Sequence, residues 1–241
     1  MSFHEMDDSQ LYSDDYVNST YQGEKFRNTF ERIIALPPAQ SDNAARCGRI
    51  VEFANRYLER DETRRPRTIL DVGSGLCVFL HRMKQLGWRG TALDPDARAI
   101  DHARSVVGVN AVHGDFFAVE DLPTYQVVTF NKVLEHVLDP AAMLRKSRQM
   151  LAPGGFVYVE LPDGERAIEE GGGREEFFIE HLHIFSFASL AALVRQAGFH
   201  VIEQERLREP SGKYTLRAFC AADNREPITQ QKQSARSVSE G

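Results

Sequence analysis

Four short apolar runs in this chain each end in side chains that can bind ligands or move protons. Asp71 and Gly73-Ser74-Gly75 follow the first, Asp94-Pro95-Asp96 the second, Asp115-Phe116-Phe117 the third, and Asn131-Lys132 with Glu135-His136 the fourth. If the runs are neighbouring parallel strands, these groups collect along one edge of a sheet, where ligands bind in α/β folds. Glycine has no Cβ, so Gly73 and Gly75 let a ligand approach the backbone closely. Asp94 stands 94 − 73 = 21 positions beyond Gly73. An acid at about that distance past a glycine turn accepts hydrogen bonds from both ribose hydroxyls. Its alternative duty is to cap the helix that Asp-Pro-Asp opens. Asp115 offers an acceptor to an adenine amino group, with Phe116 packing on the ring; the alternative is a turn residue after His113-Gly114. The set points to a nucleoside ligand.

The turn also says which nucleosides fit poorly. A dinucleotide fingerprint reads G-x-G-x-x-G/A, and its third small position is Val78 here. A side chain there pushes helix from strand and narrows the space for a pyrophosphate. A nicotinamide-dependent oxidoreductase is the disfavoured alternative on that ground. No lysine follows the turn, so it is not a P-loop. A nucleoside without pyrophosphate suits it.

The elements that position these groups alternate. Residues 67–72 read as a buried strand and 75–86 as a helix, with a turn at Gly87-Trp88-Arg89-Gly90. Strand 91–93, helix 96–107 and strand 110–113 follow. Strand 125–130 leads to helix 140–151, capped by Asp139 with Pro140 in its first turn. Pro153-Gly154-Gly155 turns into strand 156–161. Residues 162–176 are polar and glycine-rich, and read as a flexible excursion. Ser186 caps helix 187–197, and strands 199–207 and 214–220 close the chain as a hairpin. Upstream, 24–36 reads as an amphipathic helix with Phe26, Phe30, Ile33 and Ile34 inward, stopped by Pro37-Pro38. Ser41-Asp42-Asn43 caps a second helix, 44–60, with Ile50, Phe53, Ala54 and Tyr57 inward. This predicts an α/β fold with a mostly parallel sheet. Its domain plan is an arm at 1–22 (with Tyr12, Tyr16 and Tyr21), N-terminal helices at 23–66, a main domain at 67–222 and a disordered tail at 223–241.

Totals agree with one globular α/β unit. The chain has 241 residues, 42% hydrophobic and 27% charged, with net charge −6. That balance argues against general nucleic-acid binding. Cys47, Cys77 and Cys220 are far apart and form no C-x-x-C, which points to a reducing, cytoplasmic setting. No apolar run approaches ~18 residues, so no membrane span is expected.

In order, the motifs are L-D-V-G-S-G (70–75), A-L-D-P-D (92–96), H-G-D-F (113–116), N-K-V-L-E-H-V-L-D-P (131–140), L-A-P-G-G (151–155) and E-H-L-H-I-F-S (180–186). Together they resemble the class I S-adenosylmethionine-dependent methyltransferases. The resemblance implies a Rossmann-like fold of seven strands with one antiparallel strand, and S-adenosylmethionine as cofactor. It implies that Gly73, Ser74 and Gly75 border its methionine part, with Asp71 nearby and the backbone of Asn131 facing its amino group. Asp94 and Pro95 would border the ribose, and Asp115 and Phe116 the adenine. Methyl transfer is an in-line displacement, so the protein must align the nucleophile and, for a hydroxyl, take a proton. His136, His181 and His183 are the base candidates; the rival for each is a hydrogen-bonded structural histidine. Some relatives hold a metal through E-x-x-E-H. Here the first glutamate is Lys132, and a cation in a ligand's place disfavours a metal. Lys132 and Glu135 would instead pair if the turn is helical. Ser41 to Arg46, with Arg49, can face a polar acceptor or simply start a helix. The N-terminal block vaguely resembles methyltransferases of bacterial surface-polysaccharide synthesis. O-methylation of a small-molecule or saccharide acceptor is therefore expected, with a catalytically silent partner module as the alternative.

Overall fold

The structure, a computed structural model, describes residues 24–58, 65–177 and 179–223. The expected arm, nearly all of the expected tail and residues 59–64 lie outside them. Seven strands form one sheet: β1 (Thr68–Val72), β2 (Arg89–Asp94), β3 (Asn110–His113), β4 (Tyr125–Asn131), β5 (Leu151–Pro162), β6 (Phe199–Arg208) and β7 (Tyr214–Ala222). Their order is β3-β2-β1-β4-β5-β7-β6. The first five run parallel, and β7 lies antiparallel between β5 and β6. This is the expected mixed sheet. Chain direction across the sheet reverses between β1 and β4, which opens a crevice above their carboxyl ends.

Side chains alternate across the strands, so each face builds its own core. Leu70, Val72, Val128, Phe130, Val157 and Val159 pack with Met143 and Leu144 of α5 (Pro140–Ser147) and Leu190 and Val194 of α7 (Phe187–Gln196). Ile69, Val127, Phe156, Tyr158 and Phe219 face the other way. They meet Ile50 and Phe53 of α2 (Asp42–Tyr57), Leu80 and Met83 of α3 (Val78–Gln85) and Ile100 of α4 (Ala97–His102). By the same alternation Asp71 and Glu160 lie on this second face, at the crevice end of their strands. α1 (Glu24–Ile34) seats Phe26 and Phe30 against His102, with ring centroids at 4.9 and 4.6 Å. The N-terminal helices therefore share the sheet's core.

Several boundaries differ from the sequence reading, each for a local reason. The helix expected from 75 begins at Val78, because Gly75 and Cys77 hold φ at +47° and +57°. The 96–107 helix becomes α-helical to His102 and then a π-type turn to Val107, closed by Gly108 at φ +68°. Pro153-Gly154-Gly155 lies inside β5, where the pairing shifts between Tyr125 and Val127. Ile34 and Tyr57, expected inward, are exposed. The 162–176 stretch is not a structureless excursion. Asp163 caps the short α6 (Gly164–Ala167), and Arg174 ties Glu170, Glu176 and the Gly212 carbonyl together. Among the described residues no helix is long and apolar enough to cross a membrane.

Candidate active site

The crevice between β1 and β4 is floored by the glycine turn. Gly73 sits at φ +69° and donates to the Leu93 carbonyl at 2.8 Å. A Cβ there would meet Val133 Cγ2 at 2.7 Å, so both backbone angle and space require glycine. At Gly75 a Cβ would meet nothing within 4 Å, so its outer side is open. Its N–H donates to Asp94 Oδ2 at 2.8 Å, while Asp94 Oδ1 accepts from Asp96 N at 2.9 Å. Burial raises the Asp94 pKa; the bonds from Gly75 and Asp96 oppose it. The helix cap is Asp96, which accepts from Arg98 N at 3.0 Å. Asp94 thus ties the turn to β2, and each of its oxygens keeps a second lone pair for a ligand.

Asp71 is buried on the floor. Its Oδ1 accepts from Thr129 Oγ1 and Asn131 Nδ2, both at 2.7 Å. Burial outweighs those bonds and pushes its pKa up to about 6. Two further polar atoms are buried there without a hydrogen-bond partner among the described residues: Ser74 Oγ and Asn131 Oδ1. Orphaned polar atoms beside an open glycine fit a polar ligand and would be costly without one. Pro95 is exposed, and its carbonyl accepts from His113 Nε2 at 2.8 Å. Asp115 is also exposed, and its Oδ1 accepts from Phe117 N at 2.8 Å. Phe116 is 3% exposed, its ring set edge-on to Phe130 at 5.8 Å in the core. The open ring beside Asp115 is that of Phe117.

Across the crevice, Glu135 and His136 lie on a short 3-10 turn after β4, and Glu180, His181 and His183 fold back onto it. His183 N donates to the Glu135 carbonyl at 3.2 Å, and His183 Nε2 to the Val137 carbonyl at 2.9 Å. His136 Nδ1 faces the Glu180 carbonyl at 3.0 Å, and His181 Nδ1 the Glu176 carbonyl at 2.9 Å. A ring nitrogen facing a carbonyl carries the proton, so both neutral rings keep their lone pair on Nε2. Their centroids are 4.9 Å apart. Glu135 is buried, with neither carboxylate oxygen hydrogen-bonded among the described residues; its Oε1 is 3.9 Å from His136 Nε2. Burial pushes Glu135 up to about 8 and draws His136 below its ordinary range.

The structure thus brings His136 and His181 together and assigns His183 to bracing the turn. It places Glu135 beside them; the sequence reading grouped that residue with His136 past the fourth strand and gave it Lys132 as a partner. No Lys132–Glu135 ion pair forms among the described residues. One ligand atom each from Glu135, His136 and His181 lies within 4.8 Å of the others, so these three could hold a divalent ion. The argument against a metal weighed Lys132 alone and missed His181, 45 positions beyond His136.

Behind this site lies a buried ion network. Arg46 of α2 makes a two-pronged pair with Glu160 of β5, with Nε to Oε2 at 2.8 Å. Tyr158 donates to the same carboxylate at 2.7 Å, and Arg217 Nε approaches it at 3.3 Å. Arg217 also donates to Glu209 at 2.8 Å. Burial pushes Glu160 up, but Arg46, Lys132 and Arg217 outweigh it and hold the group down to about 2. The polar start of α2 is engaged within the protein. Ser41 caps the helix, Asp42 accepts from Ser211, Asn43 donates to the Val78 carbonyl, and Arg49 pairs with Glu203 and Glu205.

A family profile described as a methyltransferase domain matches residues 40–204, which span both the glycine turn and the histidine segment. The chain belongs to this methyltransferase family. Among curated relatives, the ubiquinone biosynthesis O-methyltransferase of Caulobacter vibrioides is 30% identical over 133 residues, covering 51% of this chain and 53% of the relative. That of Serratia proteamaculans is 33% identical over 111 residues, covering 43% and 46%. The chain therefore spans about half the length of these relatives. Among solved structures, the Burkholderia thailandensis 1,6-didemethyltoxoflavin-N1-methyltransferase superposes with TM-score 0.58 at 21% identity, over 87% of this chain and 86% of its own. The magnesium protoporphyrin IX methyltransferase of Synechocystis PCC 6803 gives 0.59 at 13% identity, over 87% and 100%. These likenesses show the class I methyltransferase fold.

Proposed function

We propose that this family member transfers a methyl group from S-adenosylmethionine to an oxygen of a small-molecule acceptor. The observation that carries the reading is the cradle at the carboxyl ends of β1 and β2. Gly75 is open outward, its N–H is fixed on Asp94, and Ser74 Oγ and Asn131 Oδ1 lack protein partners among the described residues. In this reading Asp94 and Pro95 border the ribose, and Asp71, Gly73, Ser74, Gly75 and Asn131 the methionine part. Asp115 takes the adenine amino group. Phe116 supports that wall from the core, and the exposed ring beside it is Phe117. Bound there, the cofactor would supply an electrophilic sulfonium methyl.

The chain's own residues serve the acceptor. His136 and His181 present Nε2 lone pairs, each ring held by a backbone carbonyl, so either can receive the hydroxyl proton as the new bond forms. His183 positions them by bracing the turn. Two imidazoles set to take a proton suit a hydroxyl acceptor. The curated relatives, over the half that matches, are named as O-methyltransferases. A sugar hydroxyl remains within this class, although the polar start of α2 is already engaged and gives it no direct support. A second reading rests on the Glu135–His136–His181 cluster: a divalent cation held there would polarise the acceptor hydroxyl. Calorimetric titration of chelator-treated protein with zinc or magnesium tests it, and Glu135→Gln should abolish any binding.

The test of the main reading is transfer of labelled methyl across a panel of catechols, phenols and sugars. Binding of S-adenosylhomocysteine without turnover on any of them would favour a silent partner module instead.

A further inference from the structure

Lys132 follows β4 directly, with a left-handed backbone at φ +57° and its N–H on the Glu160 carbonyl at 2.9 Å. Its side chain is half-buried, yet among the described residues its ammonium makes no hydrogen bond or ion pair. Burial lowers its pKa, and the charges that act on it are Glu160, Arg46, Lys213 and Glu135. It therefore stands between the buried ion network and the Glu135–His136–His181 cluster. Neither nearby carboxylate makes a direct ion pair with it among the described residues. Glu160 is taken by Arg46, Tyr158 and Arg217. Glu135 makes no hydrogen bond or ion pair with Lys132 among the described residues. Glu209, the network's other acid, is taken by Arg217. Lys132 thus keeps a half-buried ammonium without a direct partner among the described residues, at the carboxyl end of β4.

We propose that Lys132 receives an anionic group of the acceptor, a carboxylate or a phosphate, and so aims the acceptor's reacting oxygen at His136 and His181. The proposal rests on the methyltransferase reading and names its substrate class. A partly desolvated ammonium without a partner is unfavourable, and an acceptor anion would supply one. An uncharged acceptor would leave it unpaired in the complex. Lysine acts as a point charge without a fixed fork, so it accommodates either anion.

The test uses the full chain saturated with S-adenosylhomocysteine. Melting temperature is followed against added benzoate, inorganic phosphate, or chloride at matched ionic strength, for wild type, Lys132→Met and Lys132→Arg. Wild type should gain a few degrees with benzoate or phosphate over chloride, and the more effective anion names the group. Lys132→Met should lose the gain and Lys132→Arg keep part of it. Affinity for S-adenosylhomocysteine, which also reports folding, should stay within about twofold across the three proteins. Three results would overturn the proposal: no anion effect in wild type, an undiminished effect in Lys132→Met, or a loss of S-adenosylhomocysteine affinity of about tenfold in that variant. The last would assign the ammonium to the cofactor's carboxylate. Failure of wild type to bind S-adenosylhomocysteine at all would remove the methyltransferase reading and this proposal with it, whereas intact binding without an anion effect removes the proposal alone.

Discussion

Asp71 carries a charge that the fold resists. Its folded pKa of about 6 lies above the ordinary aspartate value of 3.8. The folded state therefore holds the proton more tightly than the unfolded state between those values, and stability falls as pH rises through that window. A difference of about two pH units corresponds to roughly 3 kcal/mol. Asp71→Asn keeps an oxygen for Thr129 and Asn131 and removes the charge. Urea unfolding of the variant should show a flatter pH profile between about 4 and 6, and unchanged or higher stability at pH 7. A substantial loss of stability at pH 7 would contradict this account. Asp94 makes the opposite case. Asp94→Ala should weaken binding of S-adenosylhomocysteine by ~1–3 kcal/mol, the worth of one or two charge-assisted hydrogen bonds, while the fold survives. At this scale the sequence reading located the acids well, because an acid just past a strand has few places to go. It erred on Phe116, since adjacent aromatics do not reveal which ring the turn sends inward.

Two elements are held in place by contacts that a single substitution would break. The glycine turn depends on Gly73 lying under Val133. Gly73→Ala should cost roughly 1–3 kcal/mol, combining an unfavourable backbone angle with the clash. Val133→Ala in the same chain should recover the clash portion only, read as a partial return of the urea midpoint. The second is the anchorage of α2 to β5. Glu160→Ala would leave Arg46 and Arg217 buried without their shared carboxylate, at a cost of about 3–5 kcal/mol. Urea unfolding with no change in midpoint would show that the network is dispensable. Element types were legible from periodicity and from Gly and Pro. The start of α3 was not, because Cys77 adopts a left-handed backbone that nothing in its side chain announces. The short helices after β5 were missed because their order comes from Arg174 and Asp163 bonds, not from local propensity.

Over the whole molecule, the alternation of strand and helix and the closing hairpin were enough to anticipate a mostly parallel sheet, and the family resemblance its seven strands. The residues past each strand do collect along one edge of the sheet. The acceptor side was much less legible, because it is made by contacts distant in sequence: His183 on Glu135, His181 on His136, Arg46 on Glu160. Those contacts pack His181 against His136 and anchor α2 to β5. The central claim is that this site holds S-adenosylmethionine through Asp94 and the turn. Titration calorimetry of wild type and Asp94→Ala with S-adenosylmethionine and S-adenosylhomocysteine tests it most directly. The account predicts one-to-one binding of both by wild type and about tenfold or weaker binding by the variant. Absence of binding by folded wild type, or equal affinity in Asp94→Ala, would contradict it.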